Sequence, residues 1–178
     1  RAASDRISTL LIAEALKTLP TSAVTVETPL TKTEGKQVRV DIIAVAVLRA
    51  GLSMIEPFTR LYPTVKVAHL GFERNEQTHQ ASSYYKKIPP LTTSSHVFIC
   101  DPMLATGGTV NQCIDTFKSQ GVSNIHILSI IGAPEGVKNV ESKHPDVEIT
   151  LASLDSHLNE QAYIVPGLGD AGDRTFGT

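Results

Sequence analysis

Asp101 stands four residues before the run Ala105-Thr106-Gly107-Gly108-Thr109, so a carboxylate precedes a cluster of small, hydroxylated and glycine residues. Glycines let a backbone come close to a ligand and turn its N–H groups inward, and two threonine hydroxyls add further donors. Before Asp101 the chain is continuously apolar (Val97, Phe98, Ile99, Cys100), as in a strand buried on both faces of a mostly parallel sheet. After the loop, Val110, Cys113, Ile114 and Phe117 recur at helical spacing, and Gly121 closes that segment. The loop therefore feeds a helix N-terminus at the carboxyl edge of a sheet, where the helix dipole and the loop amides together hold a phosphate dianion. A carboxylate at the mouth of such a cradle suits sugar hydroxyls or a hydrated cation. The run carries no lysine, so the GxxxxGK[ST] pattern of phosphate-loop nucleotidases is absent.

A second unit repeats the arrangement. The apolar run Ile42 to Leu48 leads into Arg49-Ala50-Gly51 and then a helical segment to Leu61, which brings a guanidinium and a small-residue turn to the same sheet edge. That combination suits pyrophosphate. Further along, Arg74 and Lys86 lie in a polar stretch, Phe72 to Leu91, without helical periodicity; it is expected to form a hairpin or flap. Near the end, Gly167, Gly169 and Gly172 satisfy GxGxxG literally, but too few residues follow for the helix and second strand of a dinucleotide-binding unit.

The elements that must position these groups follow from hydropathy. Residues 5 to 19 have the spacing of an amphipathic helix; Val65 to Leu70, Ile125 to Ile131 and, more weakly, Val147 to Ala152 are β-branched runs. Strands alternating with helices predict an α/β fold with a mostly parallel sheet flanked by helices. The 178 residues, 41% hydrophobic, fit one domain spanning 1–178. Sixteen basic and 18 acidic side chains leave a net charge of -2 with no basic block, which disfavours a nucleic-acid surface. No apolar run approaches the length of a membrane span. Cys100 and Cys113 suggest no disulfide framework, and the six histidines show no metal-site spacing, so no protein-ligated metal is expected. The chain opens on Arg1, which leaves an upstream targeting segment or a further fused domain open; a cytoplasmic location is the expectation.

DPMLATGGT resembles the phosphoribosyl diphosphate (PRPP) loop of type I phosphoribosyltransferases, and its Asp-Pro opening is similar to the uracil phosphoribosyltransferase branch. Three further segments agree in order and spacing: VLRAGLSM at Val47 to Met54, APEGV at Ala133 to Val137, and LNEQAYIVPGLGDAGDRTFG at Leu158 to Gly177. The resemblance implies a type I phosphoribosyltransferase-like fold with a flap hairpin at about 72–91 and a small C-terminal hood at about 158–178. It implies transfer of the 5-phosphoribosyl group of PRPP to uracil N1, giving UMP and pyrophosphate in pyrimidine salvage.

By the same resemblance PRPP is held by Arg49, Ala50, Gly51, Arg74, Asp101, Pro102, Met103, Leu104, Ala105, Thr106, Gly107, Gly108, Thr109 and Asp170. Uracil falls to Ile164, Gly169, Asp170 and Ala171, and the catalytic set is Asp101, Arg74 and Asp170. Pro102 stands where many relatives of this fold have a second acid, so Mg2+ is expected to be held through PRPP and water rather than directly by protein. A homodimer or higher homo-oligomer and a GTP effector are implied in the same way. Asp173 is read either as a helix cap or as a salt-bridge partner. Two departures from the pattern stand out: Ala46-Val47 where a proline is expected, and Ala81-Ser82-Ser83 in the flap. Transfer to a purine or orotate, and a regulatory module that senses PRPP or UMP without catalysis, are the competing readings; the YIVPGLGDAGD tail disfavours the first and the lack of a basic stripe the second.

Overall fold

The computed structural model describes residues 1–74 and 81–178, apart from the side chains of residues 74, 81 and 82. Helix α1 (Ala2–Leu16) is followed by an antiparallel ribbon, β1 (Thr21–Glu27) and β2 (Lys32–Val38). Then come β3 (Ile42–Leu48), α2 (Leu52–Leu61), β4 (Lys66–Arg74), β5 (Ala81–Lys87), β6 (His96–Cys100) and the two-residue β7 (Met103–Leu104). Helix α3 (Gly108–Lys118), β8 (Asn124–Gly132), α4 (Pro134–Lys143) and β9 (Glu148–Leu154) complete the body. Two short strands, β10 (His157–Leu158) and β11 (Ile164–Val165), and helix α5 (Ala171–Phe176) form the C-terminal hood.

The main sheet runs β5-β4-β3-β6-β8-β9, parallel except for the antiparallel edge strand β5, and β7 continues alongside β8 beyond the end of β6. Strand β3 is central and buried on both faces, which explains its unbroken apolar run. Alternation divides the core. Val45, Ile99 and Ile127 face Val110, Ile114 and Phe117 of α3, while Ala44, Phe98 and Leu128 face Ile12 of α1 and Met54 and Phe58 of α2. Each large side chain buried this way contributes about 1.5–3 kcal/mol relative to exposure.

Helix α1 begins three residues before the expected start and stops at Leu16; 3-10-type turns through Thr18 and Leu19 carry the chain to Pro20, so Leu19 keeps its predicted burial outside the helix. The β1–β2 ribbon has no counterpart in the sequence reading. Almost every residue in it is exposed, so no buried face imposes a period of two on its sequence. The hairpin expected over Phe72 to Leu91 corresponds to the antiparallel pair β4–β5; residues 75–80 and the Arg74 side chain lie outside the described residues. Both cysteines are buried and free. No helix among the described residues is long and apolar enough to cross a membrane.

Candidate active site

The candidate cradle begins with an interruption of the sheet. Asp101 donates its N–H to the Leu128 carbonyl at 3.1 Å, and the Pro102 carbonyl then accepts from both Ile130 and Ile131 (3.1 and 3.0 Å) before β7 resumes. Proline has no N–H to give a ladder, so it fits this bulge-like step. The loop then turns at Gly107, whose φ of 76° is left-handed, and enters α3 with no side-chain cap on the helix start. The Thr106 hydroxyl takes the Gly108 N–H only at a long 3.4 Å. The first-turn amides of α3 are thus available to an anion. A cavity of about 250 Å3 lies against them, lined by Asp101, the loop from Met103 to Val110, and Gln161, Ala162 and Tyr163 of the hood.

The corner between β8 and α4 braces this loop from behind. The Ala133 N–H donates to the Leu104 carbonyl at 2.9 Å, and Asn139 Nδ2 donates to the Thr106 carbonyl at 2.7 Å. Gly136 packs so closely that a Cβ there would overlap the Ala105 carbonyl oxygen, and a Cβ on Gly107 would come within 2.9 Å of the Gly136 carbonyl. The APEGV segment is therefore a backstop for the cradle.

Burial pushes the Asp101 carboxyl up to about 7, opposed by the N–H of Met103 at 3.3 Å. Its charge also adds to burial in raising the thiols of Cys100, to about 12, and of Cys113. A carboxyl held near neutrality beside an anion cradle is the sort of perturbed group that marks a functional cleft.

The β3–α2 turn reaches the same edge. Gly51 donates its N–H to the Val47 carbonyl at 2.8 Å, and a Cβ on it would overlap the Cys100 carbonyl, so only glycine lets this turn pass beneath the end of β6. The Leu48–Arg49 peptide is cis. The Arg49 guanidinium pairs with Asp173 of α5 at 2.7 Å and donates to the Thr178 hydroxyl at 3.1 Å. Asp173 therefore takes the salt-bridge role, and the cap of α5 is Asp170, whose Oδ1 accepts the Asp173 N–H at 2.8 Å.

A second cavity of about 200 Å3 adjoins the first and shares Met103, Ala105, Ala162 and Tyr163 with it. Its other walls are Ala50, Ile164 and the run Gly169 to Gly172. The structure thus brings together Asp101, Met103 through Thr109, Ala50, Ile164, Gly169, Asp170 and Ala171 around two joined cavities. Arg49, Gly51 and Pro102 line neither cavity; Arg49 stands behind, paired with α5, and Gly51 and Pro102 shape the backbone. Gln161, Ala162, Tyr163, Gly136 and Asn139 carried no expectation of their own. Ala162 holds a positive φ of 63° without being glycine, so its residue type gives no sign of the turn it makes.

Among the described residues no group of three or more His, Cys, Asp or Glu side chains could hold a metal ion. The donor set at the cradle is one carboxyl, Asp101, with Asp170 on the wall of the adjoining cavity.

Comparison with known proteins connects this geometry to a chemistry. The family model described as uracil phosphoribosyltransferase matches residues 1–178. A uracil phosphoribosyltransferase of Mycoplasma genitalium is 48% identical over the whole of this chain and 86% of its own length. A solved protein of Aquifex aeolicus superposes with a TM-score of 0.88 at 37% identity, covering 96% of this chain and 82% of its own. An adenine phosphoribosyltransferase of Thermoanaerobacter pseudethanolicus, at 17% identity and a TM-score of 0.58 over 86% of this chain and 81% of its own, shares the fold.

Proposed function

The chain belongs to the uracil phosphoribosyltransferase family, a group of pentosyltransferases, and its reaction is phosphoribosyl transfer to uracil; from that premise we propose that its two joined cavities hold the two halves of one nucleotide. The loop from Ala105 to Thr109 and the start of α3 take the 5-phosphate of PRPP, with Met103 and Leu104 forming the approach and Pro102 shaping it. Asp101 accepts hydrogen bonds from the ribose hydroxyls. The Arg49-Ala50-Gly51 turn holds the pyrophosphate, with Arg74 and Asp170 completing that subsite. Ile164, Gly169 and Ala171 present backbone groups to uracil, whose alternating acceptor and donor edge such groups match; cytosine reverses one partner and is rejected.

In the reaction uracil N1 forms a bond to the anomeric carbon of PRPP as the carbon–oxygen bond to pyrophosphate breaks; the N1 proton leaves to solvent, and the products are UMP and pyrophosphate. Positive charge develops on the sugar while negative charge leaves with pyrophosphate. The protein's work is then to align the two substrates across the shared wall of Met103, Ala105, Ala162 and Tyr163, and to balance the leaving charge with guanidinium and amide groups. Arg49 has to share or surrender its pairing with Asp173 to do so.

Mg2+ is the proposed cofactor: bound with PRPP it neutralises phosphate charge. The donor set fits it, because a single cradle carboxyl suits an ion that keeps its water shell and is carried largely by substrate oxygens. A homodimer or higher homo-oligomer, a GTP effector and a cytoplasmic location complete the proposal.

The observation that supports the residue assignment best is the adjacency of an uncapped helix start with a carboxyl beside it and a small backbone-lined cavity sharing one wall. A chromatographic assay with Mg2+, PRPP and each of uracil, cytosine, orotate and hypoxanthine tests the reading. UMP and pyrophosphate from uracil alone are expected. Product from orotate or hypoxanthine overturns the base assignment, and PRPP binding without product from any base overturns the catalytic one.

A further inference from the structure

We propose that Asp155 is the positioning residue of the base pocket: its carboxylate touches no substrate but fixes the turn whose backbone meets uracil. This rests on the assignment of Gly169 and Ala171 to the base. Asp155 follows β9, and its N–H donates to the Gly132 carbonyl at the end of β8 at 2.8 Å, so its backbone is tied to the central sheet. From that anchor Asp155 Oδ2 accepts the Gly167 N–H at 3.0 Å, and Oδ1 accepts the Ser153 hydroxyl at 3.0 Å.

Gly167 is where the hood turns toward the base cavity. Its φ is 52°, and a Cβ on it would overlap the Ile164 carbonyl, so the turn is closely specified. Two residues on, Gly169 begins the backbone run that lines the cavity. The Arg49–Asp173 pair ties α5 to the β3–α2 turn; the hood before α5 is held separately. Strands β10 and β11 pair over only two residues each, too short a ribbon to be stable alone. A second carboxylate of the body reaches it there, Glu135 at the start of α4, whose Oε1 accepts the Leu158 N–H at 3.0 Å and whose pKa that bond lowers. Glu135 fixes the entry to the hood; Asp155 fixes its exit into the base-reading turn. Bonds from a carboxylate to a backbone amide are stronger than neutral ones, which suits groups that must hold a loop.

Steady-state kinetics of Asp155→Ala and Asp155→Asn, with Ala171→Val as the base-pocket reference, test the proposal. Asp155→Ala is expected to raise KM for uracil about tenfold or more while KM for PRPP stays within about twofold. Asp155→Asn keeps an oxygen acceptor in the same place and is expected to recover most of the uracil affinity. An unchanged uracil KM in Asp155→Ala beside a raised one in Ala171→Val overturns the role of Asp155; so do equal rises in both KM values. If Ala171→Val also leaves uracil KM unchanged, the base-pocket assignment itself falls and the proposal with it. Should the alanine variant not fold, amide exchange in the unsubstituted protein decides: protection at Gly167 is expected, and exchange at the unprotected rate overturns the proposal.

Discussion

Replacing Asp101 by Asn should stabilise the protein while crippling its reaction. The carboxyl has an ordinary pKa of 3.8 and is pushed up to about 7 in the fold, first by burial, with the Met103 N–H opposing. Between those two values the folded chain keeps a proton that the unfolded chain has released, so stability falls as pH rises through the window, and above about 7 the whole penalty is present. At 1.36 kcal/mol per pH unit the penalty is at most about 4 kcal/mol, and water reaching the cavity wall reduces it to roughly 1–2 kcal/mol. Asparagine keeps the size and the acceptor for Met103 but carries no charge. At pH 8 the variant should therefore melt about 2–8 °C higher than the parent, at the 2–4 °C per kcal/mol of a chain this long, and the gap should close toward pH 4–5. Turnover should fall roughly 10- to 100-fold with the loss of charge-assisted bonds to the ribose. Thermal unfolding from pH 5 to 8 at constant ionic strength, paired with initial rates, gives both numbers. A variant that is less stable than the parent at pH 8, or whose stability follows pH in parallel with it, refutes the reasoning.

The same titration predicts that kcat/KM for PRPP rises with pH through about 7 and levels off above, because ribose binding needs the ionised carboxylate; a profile unchanged in Asp101→Asn assigns that limb to another group. Ala171→Val adds bulk to the wall of the 200 Å3 cavity, away from the cradle, and should raise KM for uracil about tenfold with KM for PRPP within twofold, read from initial rates. Gly136→Ala forces a methyl group onto the Ala105 carbonyl, so it should displace the cradle, weaken PRPP binding by calorimetry at least tenfold and cost about 1–3 kcal/mol of stability; normal PRPP affinity would show that the loop is not held by α4.

The sheet and its two layers were legible because burial writes a pattern into sequence. Strand β3 is apolar throughout and β6 and β8 are mostly so, since both their faces are covered, and α3 repeats its apolar residues where it meets them. The turn into α3 was legible for a different reason: paired glycines at the end of an apolar run allow the left-handed turn that Gly107 makes before the helix. The β1–β2 ribbon was silent because exposed residues on both faces leave hydropathy no period. The contributions of Gln161, Ala162, Tyr163, Asn139 and Asp155 were also hidden. Gln161 to Tyr163 reach the cavity only through the folding of the C-terminal segment, while Asn139 reaches back to Thr106 and Asp155 ahead to Gly167, and neither bond leaves a local signature. The pairing of Arg49 with Asp173 joins residues 124 positions apart in the chain and emerges only from the fold.

The most direct test of the central claim, that the two joined cavities hold one nucleotide, is a crystal structure of the protein with UMP bound. The phosphate should lie within hydrogen-bond distance of the amides of Thr106 to Thr109, the ribose hydroxyls against Asp101, and the uracil edge against the backbone of Gly169 to Ala171. A phosphate bound away from the start of α3, or a base outside the pocket formed by Ile164 and Ala171, contradicts it.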